Sequence, residues 1–158
     1  MPKETPHQQL ARFLGKYDRV IAAAARAALT RLRRRIRGAQ LLVYDNYNAL
    51  AVGFGPSERA SEAVLSIAVY PRWVTLFFLK GARLPDPKKI LKGSGSRVRH
   101  VVLENPARLE SPEIQGLIAA ALAAARPPID PAAPGKLIIK SVSAKQRPRR
   151  VETRSSRS

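Results

Sequence analysis

Residues 40–79 read QLLVYDNYNALAVGFGPSERASEAVLSIAVYPRWVTLFFL. Four runs within this stretch, Leu41–Tyr44, Ala49–Phe54, Ala63–Val69 and Val74–Leu79, are short and rich in β-branched, aromatic and aliphatic residues, a strand composition. Between them stand Asp45-Asn46-Tyr47-Asn48, Gly55-Pro56-Ser57-Glu58 and Tyr70-Pro71-Arg72, whose Asn, Asp, Gly and Pro favour turns. Connections this short join antiparallel neighbours, so the stretch predicts a four-stranded meander, with Asp45 and Asn46 as turn residues and nothing more.

Upstream the period becomes helical. Thr5-Pro6 forms a cap and first-position proline for a short helix to about Phe13, which Gly15 ends. Asp18 caps a longer helix reaching Arg37, stopped by Gly38. Ile21, Ala25, Ala28, Leu32 and Ile36 share one stripe of it, with Arg19, Arg26, Arg33, Arg34 and Arg37 on the opposite face. Downstream, Pro85–Leu91 reads as a helical turn, Gly93-Ser94-Gly95-Ser96 as a loop and Val98–Leu103 as a fifth strand. Ser111-Pro112-Glu113 opens a helix that Pro127-Pro128 ends. A Pro-rich linker, Pro127–Gly135, precedes Leu137–Ser141, a candidate edge strand. The expected fold is α+β: a mainly antiparallel sheet of five or six strands with helices packed on one face, a two-layer sandwich. Residues 1–142 are expected to form a single domain, and the Ser/Arg-rich residues 143–158 a disordered basic tail.

Composition narrows the function classes. A hydrophobic content of 45% suits an ordinary globular core, and the absence of cysteine excludes disulfides, thiolate nucleophiles and Cys-type metal sites. The opening MPKETPHQQL lacks a secretory apolar stretch, and the longest near-apolar run, Gly116–Ala125, falls short of the ~20 residues a membrane span needs. A cytoplasmic protein without membrane insertion is expected. The chain carries 29 basic and 11 acidic residues, for a net charge of +18. The excess sits on the ends: residues 1–38 hold ten basic and two acidic side chains, and residues 127–158 hold eight and two. Such asymmetry points to an acidic or phosphate-bearing partner.

The nucleophile elbow, H-E-x-x-H, Walker and Rossmann motifs are absent, and His7 and His100 have no ligand spacing around them, so no catalytic residue, metal site or cofactor is expected. Three constellations remain as binding candidates. Tyr44, Tyr47, Asn48, Tyr70 and Trp73 gather where neighbouring turns meet, and describe either a small-ligand cleft or a core edge with hydroxyls at its rim. Gly93 and Gly95 with Arg97 and Arg99 suit an anion-binding amide nest, or simply a turn. The helix arginines Arg26, Arg33, Arg34 and Arg37, with Arg147, Arg149 and Arg150 of the tail (and Arg154 and Arg157 beyond them), form a surface able to displace counterions from nucleic acid or another polyanion. The same residues also describe a solvated basic face.

Several separated blocks carry a family resemblance: Tyr44–Leu50, Tyr70–Phe78, Gly81, Leu84-Pro85-Asp86-Pro87, and Gly93-Ser94-Gly95 through Val98-Arg99-His100. In order and spacing they resemble the YdhG-like family, catalogued as a domain of unknown function, over about residues 40–104. Lys140–Arg150 is similar to tails in one branch of that group. The resemblance implies an α+β fold and no set of catalytic residues. One Bacillus member is described as a frataxin-like iron chaperone, which implies an acidic surface around the first helix. Residues 1–38 offer only Glu4 and Asp18 there, so iron delivery is not expected here. The expected function is a non-enzymatic module binding a small ligand or partner, with nucleic-acid or polyanion binding as the alternative.

Overall fold

Each helix begins on the cap that its sequence supplies. In the computed structural model, which describes residues 3–151, α1 spans Pro6–Leu14 and opens with a complete capping box. The Gln8 amide donates to Thr5 Oγ1 at 3.1 Å, while the Thr5 amide donates to Gln8 Oε1 at 2.8 Å. Helix α2, Arg19–Arg35, is capped by Asp18, whose Oδ1 accepts from the Ile21 amide at 3.0 Å. Helix α3, Pro112–Ala124, starts on Ser111. The second helix stops two residues before the expected Arg37, because Ile36 leaves helical geometry to bury its side chain. Gly38 then takes φ +83° against the Asp130 carbonyl, where a Cβ would lie 1.9 Å from that oxygen.

Six strands follow the predicted runs: β1 Gln40–Asp45, β2 Leu50–Gly55, β3 Leu65–Val69, β4 Val74–Phe78, β5 Arg99–Leu103 and β6 Leu137–Val142. Their order is β5-β4-β3-β2-β1-β6. The first five pair antiparallel as a meander, and β6 joins β1 in parallel. Pro85–Leu91 is not helical. Asp86 instead holds a turn there, with Oδ1 and Oδ2 accepting from the Ile90 and Leu91 amides at 3.1 and 2.9 Å. A carboxylate that satisfies these amides from outside removes the need for a helical ladder.

Alternation along the strands sorts the two faces. Leu41 and Val43, Leu50, Val52 and Phe54, Leu65, Ile67 and Val69, and Val74, Leu76 and Phe78 enter one core cluster with the apolar stripes of all three helices. The helices therefore lie on one face. On the other face the 56–64 connection folds back, and Gly55 permits this, since a Cβ there would meet the Ala63 Cα at 3.1 Å. His100 sits on that face against Phe77, with ring centroids 5.4 Å apart.

Tyr17, in the α1–α2 link, ties the helices to the sheet. Its hydroxyl donates to the Val69 carbonyl at 2.6 Å and accepts from the Leu50 amide at 3.1 Å. Burial pushes its pKa up, so the proton stays in place for the Val69 bond. Tyr17→Phe is expected to strand two buried backbone groups and to cost about 1–3 kcal/mol in urea unfolding. A change within ~0.5 kcal/mol would contradict this role for the hydroxyl.

Candidate functional site

Strand direction decides what meets at each end of the sheet. The β1–β2 and β3–β4 turns share one end, and because β6 runs parallel to β1 it delivers the C-terminal residues to that same end. Residues 143–151 do not form the disordered tail expected from residue 143 onward, and dock over the β1–β2 turn instead. The Ser143 amide donates to the Asp45 carbonyl at 2.9 Å, and the Arg147 amide to the Tyr47 carbonyl at 2.8 Å. The expected tail residues 152–158, Arg154 and Arg157 among them, lie outside the described residues.

Asp45 is the anchor, although its sequence position reads as a turn residue. It ends β1 in phase with Leu41 and Val43 and is fully buried. Its Oδ2 accepts from Lys16 Nζ at 2.8 Å and its Oδ1 from the buried Arg149 guanidinium at 3.0 Å. The Gln146 side chain bridges Lys16 and the Asp45 carbonyl, and Arg149 also donates to the Asn46 and Tyr47 carbonyls. Burial pushes the Asp45 carboxyl up, but hydrogen bonding from Lys16, Gln146 and Arg149 and the lysine charge prevail, leaving its pKa below the ordinary value.

These contacts divide the sequence candidates. Arg149 is closed to an external anion, because its guanidinium is buried and engaged with Asp45. Arg147 is exposed, with its guanidinium 5.7 Å from the Tyr47 ring centroid. Arg150 is exposed too, and its Nε donates to the Lys16 carbonyl at 3.2 Å. Asn48, Tyr70 and Trp73 line one open groove of about 650 Å³ with Arg72 and Arg147. The Tyr70 and Trp73 ring centroids are 5.8 Å apart at a 38° tilt. Trp73 and Tyr47 are 46% and 48% exposed. Tyr44 does not join them. Out of phase with Leu41, Val43 and Asp45, it sits on the face away from the helices.

A second open groove, about 450 Å³, shares Pro71 and Arg72 with the first and continues to Arg19, Val20 and Arg150. From there Arg19, Arg26, Arg33, Arg34 and Arg37 stand exposed along α2 and just past its end. Arg33 has His7 Nε2 at 3.4 Å, and none of these five arginines is in a salt bridge among the described residues. Gly93, Gly95, Arg97 and Arg99 lie at the opposite end of the sheet. There Arg99 donates to the Gly95 and Val98 carbonyls at 2.6 and 2.8 Å, bracing the loop from within, while Arg97 remains exposed.

Among the described residues no three His, Asp or Glu side chains stand together as a metal-ligand set. No helix is long and apolar enough to cross a membrane. No family model, curated protein or solved structure matches the chain. What the surface offers is a run of guanidinium groups leading to exposed aromatic rings.

Proposed function

We propose that this protein is a non-enzymatic binding module that holds nucleic acid or a similar extended polyanion along the arginine face of α2 and the grooves at the turn end of its sheet. One observation carries the reading: five exposed arginines follow a 17-residue helix without a carboxylate partner among the described residues. A helix of that length extends about 26 Å, so the charges make a track rather than a point site. Guanidinium groups so arranged displace counterions from a phosphate backbone. The three arginines of the last helical turn also face the negative end of the helix dipole, which makes their charge compatible with helix stability.

A small planar ligand at the turn end is the second reading, favoured by Asn48, Tyr70 and Trp73 lining one groove. Half-exposed rings suit it less well, since small-molecule sites usually bury about 70–90% of the ligand. Membership of the YdhG-like family and cytoplasmic residence belong to the same proposal. The residue blocks of 40–104 support the first, and a cysteine-free chain is compatible with the second.

Fluorescence anisotropy with labelled DNA and RNA across a salt series is the test. Dissociation constants of about 10⁻⁴–10⁻⁶ M, weakening steeply between about 50 and 200 mM salt, are expected. No binding at about 50 mM salt and about 100 μM protein would remove the proposal.

A further inference from the structure

We propose that the turn-end groove makes this a single-strand binder, with unpaired bases stacking on Trp73 and Tyr70 while Arg72 and Arg147 hold the adjoining phosphates. The inference rests on the polyanion reading and adds a substrate class to it. Charge alone does not distinguish a single strand from a duplex. Exposed aromatic faces do, because the bases of a duplex are already stacked on one another and present only their edges.

Three features of the groove support this assignment. Trp73 is a large ring left about half exposed beside Arg72 and Arg147, with the Tyr70 ring centroid 5.8 Å away. Trp73 follows Arg72 in the short β3–β4 turn, where the Tyr70 amide donates to the Trp73 carbonyl at 2.9 Å. The rings therefore stand on a closed turn rather than a loose loop, and little order remains to be imposed when a base arrives. Arg147 comes from the C-terminal segment, remote in sequence from both turns, yet its position is set by its own amide bond to the Tyr47 carbonyl and by the buried Arg149–Asp45 pair two residues on. The groove is thus assembled from two turns and the tail.

The groove also continues into the basic track. It shares Pro71 and Arg72 with the groove that leads to Arg19 and Arg150, so a strand whose bases stack at Trp73 has arginines along its onward path. Arg72 stands at the junction of the stacking and phosphate-binding parts. An acidic peptide would satisfy the arginines and leave the rings without planar partners.

Trp73 is the only tryptophan in the chain, so the native protein carries its own probe. Full-length protein is titrated with a single-stranded oligonucleotide of about a dozen residues, the matching duplex, the mononucleotide and polyglutamate, a range suited to the usual site sizes. The single strand is expected to quench Trp73 emission at lower concentration than the other three. In anisotropy, Trp73→Ala is expected to weaken single-strand binding by about ten- to a hundredfold while changing duplex affinity by less than about twofold. Trp73 is 46% exposed on a surface turn, so a folded variant is the expected outcome, and circular dichroism checks it. If the variant fails to fold, the quenching arm decides alone.

The inference is overturned if the wild type prefers duplex, if Trp73→Ala binds the single strand as well as wild type does, or if both ligands weaken equally. Equal quenching by the mononucleotide overturns it in favour of the small-ligand reading, and equal competition by polyglutamate in favour of an acidic protein partner. Salt-dependent binding without strand preference sinks this inference and leaves the polyanion reading standing. Binding to neither nucleic acid sinks both.

Discussion

Asp45→Ala is expected to destabilise the protein by about 3–5 kcal/mol, the usual cost of leaving a buried charge without its partner. The group left behind is Arg149, which is 5% exposed and has lost its only carboxylate partner among the described residues. Its remaining acceptors, the Asn46 and Tyr47 carbonyls, are neutral. Lys16 loses its counterion at the same time. The expected readouts are a lowered urea midpoint and faster tryptic cleavage after Lys145 and Arg149, because Asp45 anchors the segment that carries them. Asp45→Ala combined with Arg149→Ala should cost less than the sum of the single changes. Stability within ~1 kcal/mol of wild type for Asp45→Ala would show that the pair is not an anchor.

The same carboxylate sets a pH dependence. Its folded-state pKa is depressed, so its contribution is fully present above the unfolded value, about 3.9, and is lost as pH falls through the folded value. The midpoint difference between wild type and Asp45→Asn should therefore be steady from neutral pH down to about 4 and shrink below it. A difference that shrinks between pH 5 and 7 would place the dependence on some other group.

Replacing Arg26, Arg33, Arg34 and Arg37 together by glutamine is expected to weaken nucleic-acid binding by at least about a hundredfold near 50 mM salt. The slope of log affinity against log salt should fall by about 3–4 for duplex, if each arginine meets one phosphate. These side chains are exposed and lack carboxylate partners among the described residues, so stability should shift little. Unchanged affinity and slope would mean that the arginine face is only solvated. Because this variant leaves Trp73 intact, preference for a single strand should survive it, and that separates the track from the stacking groove.

Much of the fold was legible in short-range chemistry. Thr5, Asp18 and Ser111 cap helices because a side-chain oxygen can satisfy an amide three residues on, a relation contained wholly within a local segment. The β1–β4 meander was legible for the same reason, since turns of a few residues leave a strand no neighbour but the next. The aromatic cluster was partly legible: adjacent turns do bring Asn48, Tyr70 and Trp73 to one groove. Tyr44 lies apart because its strand phase opposes that of Leu41 and Val43, which proximity in sequence does not reveal. Asp45 carried a usable signal, because its phase with Leu41 and Val43 already puts it on the core side. Aspartate before a turn is so common that its composition signal masks this phase.

The sequence by itself determined the helices, the strands, their buried faces and the location of the excess positive charge. Those properties follow from periodicity, capping and composition, which act over a few residues. Only the tertiary structure decided where the tail goes. Parallel pairing of β6 with β1 brings residue 142 to the turn end, and the carboxylate buried there is met by cations from the approaching tail and Lys16. A tail with too little apolar content to fold alone is thereby held by charge pairing in a dry site, a contact between residues 104 positions apart that no local pattern specifies.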